Sequence, residues 1–309
     1  MGVIVVGAGI AGVACARALT AAGVEVRVLE RARVVGGRMA SRRLHGRPVD
    51  LGAAYFTVSD PGFADVVAGW QEAGLARPWT DTLAVLGDGA RGSSSGPMRW
   101  AAAGGLRSLV TALAEGLDVT LEHEVGRVGP GPVVDGEAAD AVVLAMPDPQ
   151  AARLLDPVPV GVAERRWNPV ITVVAGYAER GWADLPAAFV NDHPVLALVA
   201  DDGDRRGDGA PVLVAHTTGA VARAHDAEPA DAVPLVLAGL RELLGVGEPL
   251  WTHAHRWRFA APAEGREATF GFEDGIGLAG DGWGRSRVEA AWRSGTDLGR
   301  AIVGQVAAG

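Results

Sequence analysis

Lysine is absent from this sequence, and cysteine is nearly so. All 28 basic residues among the 309 are arginines, which excludes mechanisms that need a lysine as nucleophile, Schiff base or proton carrier. The single cysteine, Cys15, excludes an intrachain disulfide. No cysteine and histidine cluster has the spacing of metal ligands, so no metal site is expected. A chain that was not built around thiols or zinc fits a reducing cytoplasm, and we predict a cytoplasmic protein.

Basic charge is in deficit, and long apolar runs are missing. The chain has 37 acidic residues against 28 basic ones, a formal net charge of -9, which repels polyanions and argues against a nucleic-acid partner. Apart from the uncharged first sixteen residues, whose glycines are explained below, no apolar run approaches the roughly 20 residues of a membrane-spanning helix. Hydrophobic residues make up 49% of the sequence, so we expect a globular protein with two lobes around a cleft.

Hydrophobic periodicity predicts strands that alternate with helices. The first 30 residues predict a β-α-β unit, with a strand at 3–6, a helix ending near Ala22 and a strand at 24–30. The further predicted elements are a hairpin at 42–52, a helix at 61–73 capped by Asp60, a hairpin at 82–100 with a loop at 93–97, a helix at 104–116, strands at 119–121, 125–128, 141–145, 170–174, 187–190, 195–199 and 212–215, an exposed loop at 201–209, a helix at 230–244, strands at 251–259 and 276–279, and a helix at 287–306.

A glycine-rich turn follows the first predicted strand and begins the first helix. Its residues are Gly7, Ala8, Gly9, Ile10, Ala11 and Gly12, a G-x-G-x-x-G pattern. Such glycines allow a tight turn, a close approach of pyrophosphate and close helix packing, and the helix N-terminus attracts phosphate. Glu30, at the end of the next strand, can accept hydrogen bonds from an adenosine ribose. The pattern predicts a dinucleotide site that suits NAD or FAD, and a glycine turn without a ligand is the alternative.

A second glycine motif favours FAD. Gly36, Gly37 and Arg38 follow the second strand closely, and a glycine pair with an arginine can lie along the same pyrophosphate. The order of Glu30 and Arg31 before this Gly-Gly-Arg resembles the FAD signature of the flavin amine oxidase superfamily. Further stretches resemble the bacterial renalase-like flavoproteins over nearly the whole chain. They are GRMASRR at 37–43 leading into VDLGAAYFT at 49–57, HRWRF at 255–259, and LAGDGW at 278–283 with RVEAAWRSG at 287–295.

The resemblance implies a fold, a cofactor and the residues that bind it. The fold is α/β, with a discontinuous Rossmann-like FAD-binding domain at 1–60, 101–152 and 272–309 and an inserted α+β substrate domain at 61–100 and 153–271. FAD would be bound noncovalently, and the last helix would stabilise negative charge on the reduced flavin. The expected cofactor-binding residues are Gly7, Ala8, Gly9, Ile10, Ala11, Gly12, Glu30, Arg31, Gly37, Arg38, Met39, Gly52, Ala53, Ala54, Tyr55, Val125, Met146, Gly280, Asp281, Val288 and Glu289.

Five residues are candidates for the wall of the substrate pocket. If FAD is bound as the resemblance implies, residues 50–56 pass beside its isoalloxazine ring, and Tyr55 either forms a wall of the active site or packs as a core aromatic. His255 shares a strand face with His253 and either lies near the substrate or packs and hydrogen-bonds elsewhere. The full set is Tyr55, Trp100, Asn191, His255 and Trp257.

The reaction implied by the resemblance needs no catalytic base. It is hydride transfer from the 2- and 6-dihydro isomers of NAD(P)H to flavin N5, with O2 as the second substrate and hydrogen peroxide as a product. A dihydropyridine becomes aromatic by losing hydride alone, so we assign no catalytic acid or base.

Two other functions remain open from the sequence. Many superfamily members resemble one another in a lysine near flavin N5 and in facing aromatic rings. This chain has no lysine and only two tyrosines, Tyr55 and Tyr177, so amine oxidation loses support. The alternatives are an oxidase or dehydrogenase of the same fold that acts on an amine or another small metabolite, and a noncatalytic dinucleotide-binding sensor. The substrate and the oligomeric state are not determined by the sequence.

Overall fold

The protein contains eight α-helices, two short 3-10 helices (Gly37–Met39 and Pro229–Ala232) and eighteen strands within residues 2–87, 90–158, 162, 165–182 and 184–306, which are the residues described by this computed structural model. The helices are α1 (Ile10–Ala21), α2 (Pro61–Glu72), α3 (Leu106–Ala114), α4 (Asp148–Leu154), α5 (Asp202–Arg206), α6 (Gly219–Ala224), α7 (Val233–Leu244) and α8 (Val288–Val306). The strands are β1 (Val3–Val6), β2 (Val26–Leu29), β3 (Ser41–Leu44), β4 (Arg47–Asp50), β5 (Phe56–Thr57), β6 (Arg77–Gly87), β7 (Ala90–Ala101), β8 (Asp118–Thr120), β9 (Val133–Val134), β10 (Glu137–Ala138), β11 (Ala141–Leu144), β12 (Trp167–Gly176), β13 (Ala187–Asn191), β14 (Leu196–Asp201), β15 (Val212–Thr217), β16 (Trp251–Pro262), β17 (Gly271–Glu273) and β18 (Ile276–Leu278). None of the helices in this described part of the chain is long and apolar enough to cross a membrane.

A six-stranded sheet carries the first β-α-β unit. Its order is β17-β18-β11-β1-β2-β8, and all neighbours are parallel except β17, which pairs antiparallel at one edge. β1 and β11 are apolar and buried along their whole length, as expected for parallel strands that are covered on both faces. Helices α1, α2, α3 and α8 pack over one face in a single hydrophobic cluster. This sheet therefore has one well-covered layer of helices.

An eight-stranded sheet is the second large sheet of the structure. Its order is β16-β12-β15-β14-β13-β6-β7-β5, and its pairs are antiparallel except β13 with β6. Alternate residues of β12 face opposite sides, since Ile171 and Val173 pack with α7, whereas Val174 packs with Val49 and Leu51 of the hairpin segment. The face of the sheet that carries Val174 therefore lies against the segment that follows β4.

The predicted α/β fold class is confirmed, as are most elements. The β-α-β unit is present, and the hairpin at 42–52 turns at His45 and Gly46, both with positive φ. Helix α2 begins after Asp60, whose carboxylate accepts from the backbone N–H of Phe63 at 3.0 Å. The domain boundaries stay a prediction, and their outermost residues, 1 and 307–309, lie outside the described residues.

Three predicted segments are wrong. Residues 125–128 form no strand and only an isolated bridge at Val128, because Val125 and Val128 pack as irregular chain into a hydrophobic cluster. The loop predicted at 93–97 is part of β7, where its serines pair with β6. Residues 88–89 of the predicted hairpin lie outside the described residues. The exposed loop predicted at 201–209 contains α5, and Asp202 and Arg205 are fully buried there. Their charges are buried because each has a partner, as described below.

Candidate functional site

The C-terminal ends of four parallel strands carry the predicted cofactor residues. Gly7 follows β1, Glu30 follows β2, Met146 comes shortly after β11, and Gly280 comes shortly after β18. These strands lie side by side and run in the same direction. In open parallel sheets, ligands bind outside the carboxyl ends of the strands. The fold therefore brings residues that are far apart in sequence to one edge.

The fingerprint glycines are required by close backbone packing. Gly7 has φ +107°, and a Cβ atom there would lie 2.7 Å from the Ala145 carbonyl oxygen. A Cβ atom at Gly12 would lie 1.9 Å from the Gly7 carbonyl oxygen. Any side chain at Gly12 would thus push α1 away from the turn that begins it.

A second glycine turn packs directly against the fingerprint. The backbone N–H of Gly36 donates to the Ala8 carbonyl at 2.9 Å. A Cβ atom at Gly37 would lie 3.2 Å from the Cα atom of Gly9, so no side chain separates the two turns. The paired turns form a backbone cradle at the N-terminus of α1, which has no side-chain cap. Such a cradle suits a pyrophosphate.

Arg107 supplies a cation beside this cradle. It lies near the start of α3, and its Cγ atom would be 3.0 Å from a Cβ atom on Gly36. Its buried Nε has no hydrogen-bond partner among the described residues. Burial lowers the pKa of Arg107, although the charge of Asp50 acts in the opposite direction. A buried guanidinium with an unpaired donor favours an anionic ligand. No sequence motif indicates Arg107, because α3 reaches the cradle only through the tertiary fold.

Glu30 and Arg38 make contacts within the protein in this structure. The two carboxylate oxygens of Glu30 accept from the backbone N–H groups of Ala8 and Ala32, at 2.7 and 2.8 Å. The guanidinium of Arg38 pairs with Asp281 at 2.5 Å, and Asp281 is 6% exposed. The contacts of Glu30 support the fingerprint turn, and the Arg38 ion pair links the second glycine turn to the segment after β18.

Glu289 also has a structural role. Its carboxylate accepts from the Ser59 N–H, the Ser59 hydroxyl and the Asp60 N–H, each at 2.6 Å. Gly280 has φ +146°, and its N–H donates to the Ser294 hydroxyl at 2.9 Å. These contacts join α8 to the start of α2 and to the segment after β18.

The other predicted cofactor residues are distributed over several environments. Arg31 is exposed, whereas Met39 and Val288 lie in the core around α1. Val125 and Met146 belong to the cluster on the opposite face of the six-stranded sheet.

The eight-stranded sheet presents a row of four side chains toward the segment after β4. Strand register places Leu198, His216, Thr172 and His255 side by side on β14, β15, β12 and β16, and we call them the central row. The Thr172 hydroxyl donates to the Leu51 carbonyl at 2.7 Å. The central row therefore lies directly against the segment at 51–55, which is predicted to line the flavin ring.

The histidines of this face are held in the neutral state. Burial and the charge of Arg205 lower the pKa of His216 to about 4. Burial lowers the pKa of His255 and of His253 as well, with nearby charges adding to the effect. Nε2 of His216 and Nε2 of His253 have no hydrogen-bond partner among the described residues. The face thus offers neutral imidazoles with free hydrogen-bonding capacity at pH 7.

Three of the five predicted substrate residues come together near the central row. Trp257 donates to the Leu51 carbonyl at 2.7 Å, and His255 lies 4.5 Å from the Trp257 ring. Tyr55 is partly buried, with the guanidinium of Arg99 5.4 Å from its ring centroid.

The other two substrate candidates lie elsewhere. Trp100 stacks on Phe56 in the core, and Asn191 is exposed at the end of β13. The sequence interpretation did not include His216, Thr172 or Arg99. Only strand register, which a single sequence does not reveal, brings these three near Tyr55 and Trp257.

A buried network of ion pairs holds the segment at 51–55 in place. The Arg205 guanidinium donates to the Ala54 carbonyl at 2.8 Å and pairs with Asp202. Arg206 pairs with Asp202 at 3.1 Å and with Asp50 at 2.8 Å. Burial alone would raise the pKa of Asp202, but the charges of Arg205, Arg206 and Arg47 lower it. The carboxylate therefore stays ionised and paired.

The comparisons with known proteins agree with this geometry. Residues 5–69 match the NAD(P)-binding Rossmann-like domain, and residues 62–302 match the family described as flavin containing amine oxidoreductase. Polyamine oxidase 4 of Oryza sativa subsp. japonica is 53% identical over 53 residues, which are 17% of this chain but only 11% of that relative's length.

Solved structures of two amine oxidases have a similar fold. Cyclohexylamine oxidase from Brevibacterium oxydans IH-35A has a TM-score of 0.79 at 16% identity, with 99% of each chain covered. Wild-type putrescine oxidase bound to putrescine has a TM-score of 0.75 at 19% identity, with 98% of this chain and 99% of that chain covered. At such identities the likeness shows the fold alone.

The residues present suit a flavin dinucleotide. The backbone cradle and Arg107 fit its pyrophosphate, and the central row faces the segment expected beside its ring. Because the amine oxidoreductase match covers more than half of the sequence, the chain belongs to the flavin containing amine oxidoreductase family, and its cofactor is FAD.

Proposed function

We propose that this chain oxidises the 2- and 6-dihydro isomers of NAD(P)H. In this reaction the dihydropyridine loses a hydride to become NAD(P)+, and O2 takes up that hydride equivalent and one proton from the solvent to become hydrogen peroxide. The observation that carries the proposal is the chemistry of the central row, which contains a threonine, a leucine and two neutral histidines but no carboxylate.

The charge around the central row disfavours a cationic substrate. The positive charge of Arg205 lowers the pKa of His216. Asp202, the ion-pair partner of Arg205, is already neutralised by three arginines. Arg99 lies over Tyr55 on the same side. An alkylammonium ion that enters such a site would meet positive charge without a free carboxylate on the central row. A neutral dihydropyridine ring with a hydrogen-bonding carboxamide suits it better.

The protein's contribution is positioning. Bound FAD supplies the two-electron acceptor for this chemistry. Because a dihydropyridine becomes aromatic when hydride leaves, no side chain has to remove a proton from carbon, which agrees with the absence of lysine. Thr172 and Trp257 hold the Leu51 carbonyl, and Arg205 holds the Ala54 carbonyl. These contacts would keep the predicted flavin-lining segment rigid against the substrate.

The proposed FAD site combines residues predicted from the sequence with one residue that only the structure brings there. The predicted residues at the strand ends would bind FAD, with Arg107 as an additional pyrophosphate ligand. Tyr55, His255 and Trp257 would line the substrate pocket together with His216, while the buried Thr172 would hold Leu51 in place behind them.

Anaerobic visible spectroscopy of the purified holoenzyme tests this function. We expect the flavin absorption band to bleach when the 2- or the 6-dihydro isomer of NAD is added and to stay unchanged with ordinary NADH, since the pocket selects the position of the hydride. Subsequent admission of O2 should restore the band and yield hydrogen peroxide.

Other outcomes would point to other functions. Bleaching by cyclohexylamine or putrescine, with no response to either isomer, would replace the proposal with amine oxidation. A flavoprotein that none of these compounds reduces and that consumes no O2 would favour a sensor.

A further inference from the structure

Arg99 is a buried cation without an ion-pair partner. Its side chain belongs to β7, and the residue is 5% exposed. Nη1 donates to the Asp81 carbonyl at 2.7 Å. Within the described ranges of the chain, the Arg99 guanidinium forms no ion pair, and its Nε has no hydrogen-bond partner. This arginine is thus desolvated but not neutralised.

The free donors of Arg99 lie on one edge of the guanidinium. Nη1 donates to the Asp81 carbonyl, and Nε–H is buried without an acceptor, while the adjacent Nη2–H forms no hydrogen bond in the described part of the chain. These two N–H bonds are nearly parallel and form the side-on fork with which arginine binds two oxygens of one carboxylate or phosphate. The geometry is therefore that of an anion receptor.

Aromatic rings hold the plane of this fork. The Arg99 Cζ atom is 5.4 Å from the ring centroid of Tyr55 and 5.9 Å from that of Phe189. Cation–π contacts of this kind stabilise an arginine only in part, because they satisfy none of its N–H donors. A buried cation with unpaired donors is costly, and an anionic ligand would remove that cost.

The position of Arg99 ties it to the substrate pocket. Tyr55 is one of the residues predicted to line the flavin ring, and it packs in one cluster with Phe189 and Leu198, a member of the central row. The Arg99 guanidinium, which lies beside Tyr55 and Phe189, thus belongs to the same side of the eight-stranded sheet as the neutral histidines.

We propose that Arg99 is the anion-binding residue of the substrate pocket and that its Nε and Nη2 donate to a phosphate group of the substrate. The inference rests on the proposed function, because phosphates are the anionic groups of a nicotinamide nucleotide. The enzyme would then recognise nucleotides and discriminate against the phosphate-free riboside.

Two substrates that share one reactive ring test this inference in the unmodified holoenzyme. They are the dihydro isomers of nicotinamide mononucleotide and of nicotinamide riboside, which differ by the phosphate. We expect kcat/KM to be about 100-fold higher for the mononucleotide, mainly through KM, since a buried charge-assisted pair contributes to binding on this scale. A ratio near one overturns the inference without any variant.

Variants then assign the effect to Arg99. Arg99→Met should bring the two substrates within a few-fold of each other, and Arg99→Lys should recover only part of the preference because an ammonium group cannot form the fork. Arg91→Met is the matched control, since Arg91 is exposed on the same strand, and it should leave the ratio unchanged. An Arg99 variant that keeps the full preference contradicts the assignment.

A binding measurement separates this inference from the proposed function. Oxidised nicotinamide mononucleotide and nicotinamide riboside are titrated into the holoenzyme, and the shift of the flavin absorption band is followed. If the mononucleotide binds more tightly than the riboside and the Arg99 variants lose this preference, the anion site is supported. If no dihydropyridine is oxidised in the same preparation, the proposed function is overturned. Oxidation of both substrates with equal efficiency and equal binding of both products would overturn the anion site and leave the function standing.

Discussion

At the scale of single residues, His216 couples stability to pH. It lies half-buried on β15, and burial and the charge of Arg205 lower its pKa to about 4. An unfolded histidine has a pKa of about 6.5, so between these values the unfolded chain binds the proton more readily than the folded chain. The free energy of unfolding should therefore fall as the pH drops from 6.5 toward 4.

A His216→Asn variant should remove this part of the pH dependence. For wild-type holoenzyme at a fixed FAD concentration, we expect the His216 contribution to cost about 2 kcal/mol between pH 7.5 and pH 5 in urea unfolding. The variant should lose less stability than wild type by about that amount. His123→Asn is the control because His123 is exposed. Parallel losses in wild type and in the His216 variant would contradict the prediction.

At the scale of elements, two glycines of α8 set how closely it packs on α1. A Cβ atom at Gly295 would lie 1.9 Å from the Ala11 carbonyl oxygen, and one at Gly299 would lie 2.8 Å from the Cys15 carbonyl oxygen. Gly295→Ala should therefore force the helices apart and lower the free energy of unfolding by about 1–3 kcal/mol, the usual cost of overpacking.

Helix α8 also provides the matched control. Gly304 lies in the same helix, and no atom is within 4 Å of the position of its Cβ. Gly304→Ala should raise the free energy of unfolding by about 0.5–1 kcal/mol, because alanine is the better helix former. Urea unfolding of both variants with FAD held constant checks the pair. Equal effects of the two substitutions would show that helix propensity, and not packing, governs α8.

Local patterns made much of the fold and the backbone cradle predictable. The β-α-β unit, its fingerprint glycines and the Asp60 cap are each specified within a few consecutive residues. The central row could not be predicted because its members come from four strands and meet only through register. The segment at 201–209 looks like an exposed loop, since it is rich in aspartate and glycine. Its burial depends on Asp50 and Arg47, about 150 residues earlier.

At the scale of the whole molecule, that buried segment connects distant parts of the chain. Asp202 on α5 pairs with Arg47 of the β3–β4 hairpin at 2.6 Å and with Arg205 and Arg206 of its own helix. Arg206 in turn donates to the Ala102 carbonyl at 3.1 Å, just before α3. One carboxylate thus pairs with three guanidinium groups that hold the hairpin, the predicted flavin-lining segment and the approach to α3 in place.

Removing the Asp202 charge should therefore destabilise the whole protein. Asp202→Asn leaves Arg205 and Arg206 buried with only Asp50 nearby, and the loss of one partner from a buried network typically costs about 3–5 kcal/mol. Asp208→Asn is the matched control, because Asp208 pairs with the same Arg47 at 2.8 Å but its side chain is 44% exposed. Exposed pairs contribute about 1 kcal/mol or less, so this variant should unfold almost as wild type does. Urea unfolding followed by circular dichroism and by flavin fluorescence measures both effects. Similar small losses in the two variants would mean that α5 does not tie these segments together.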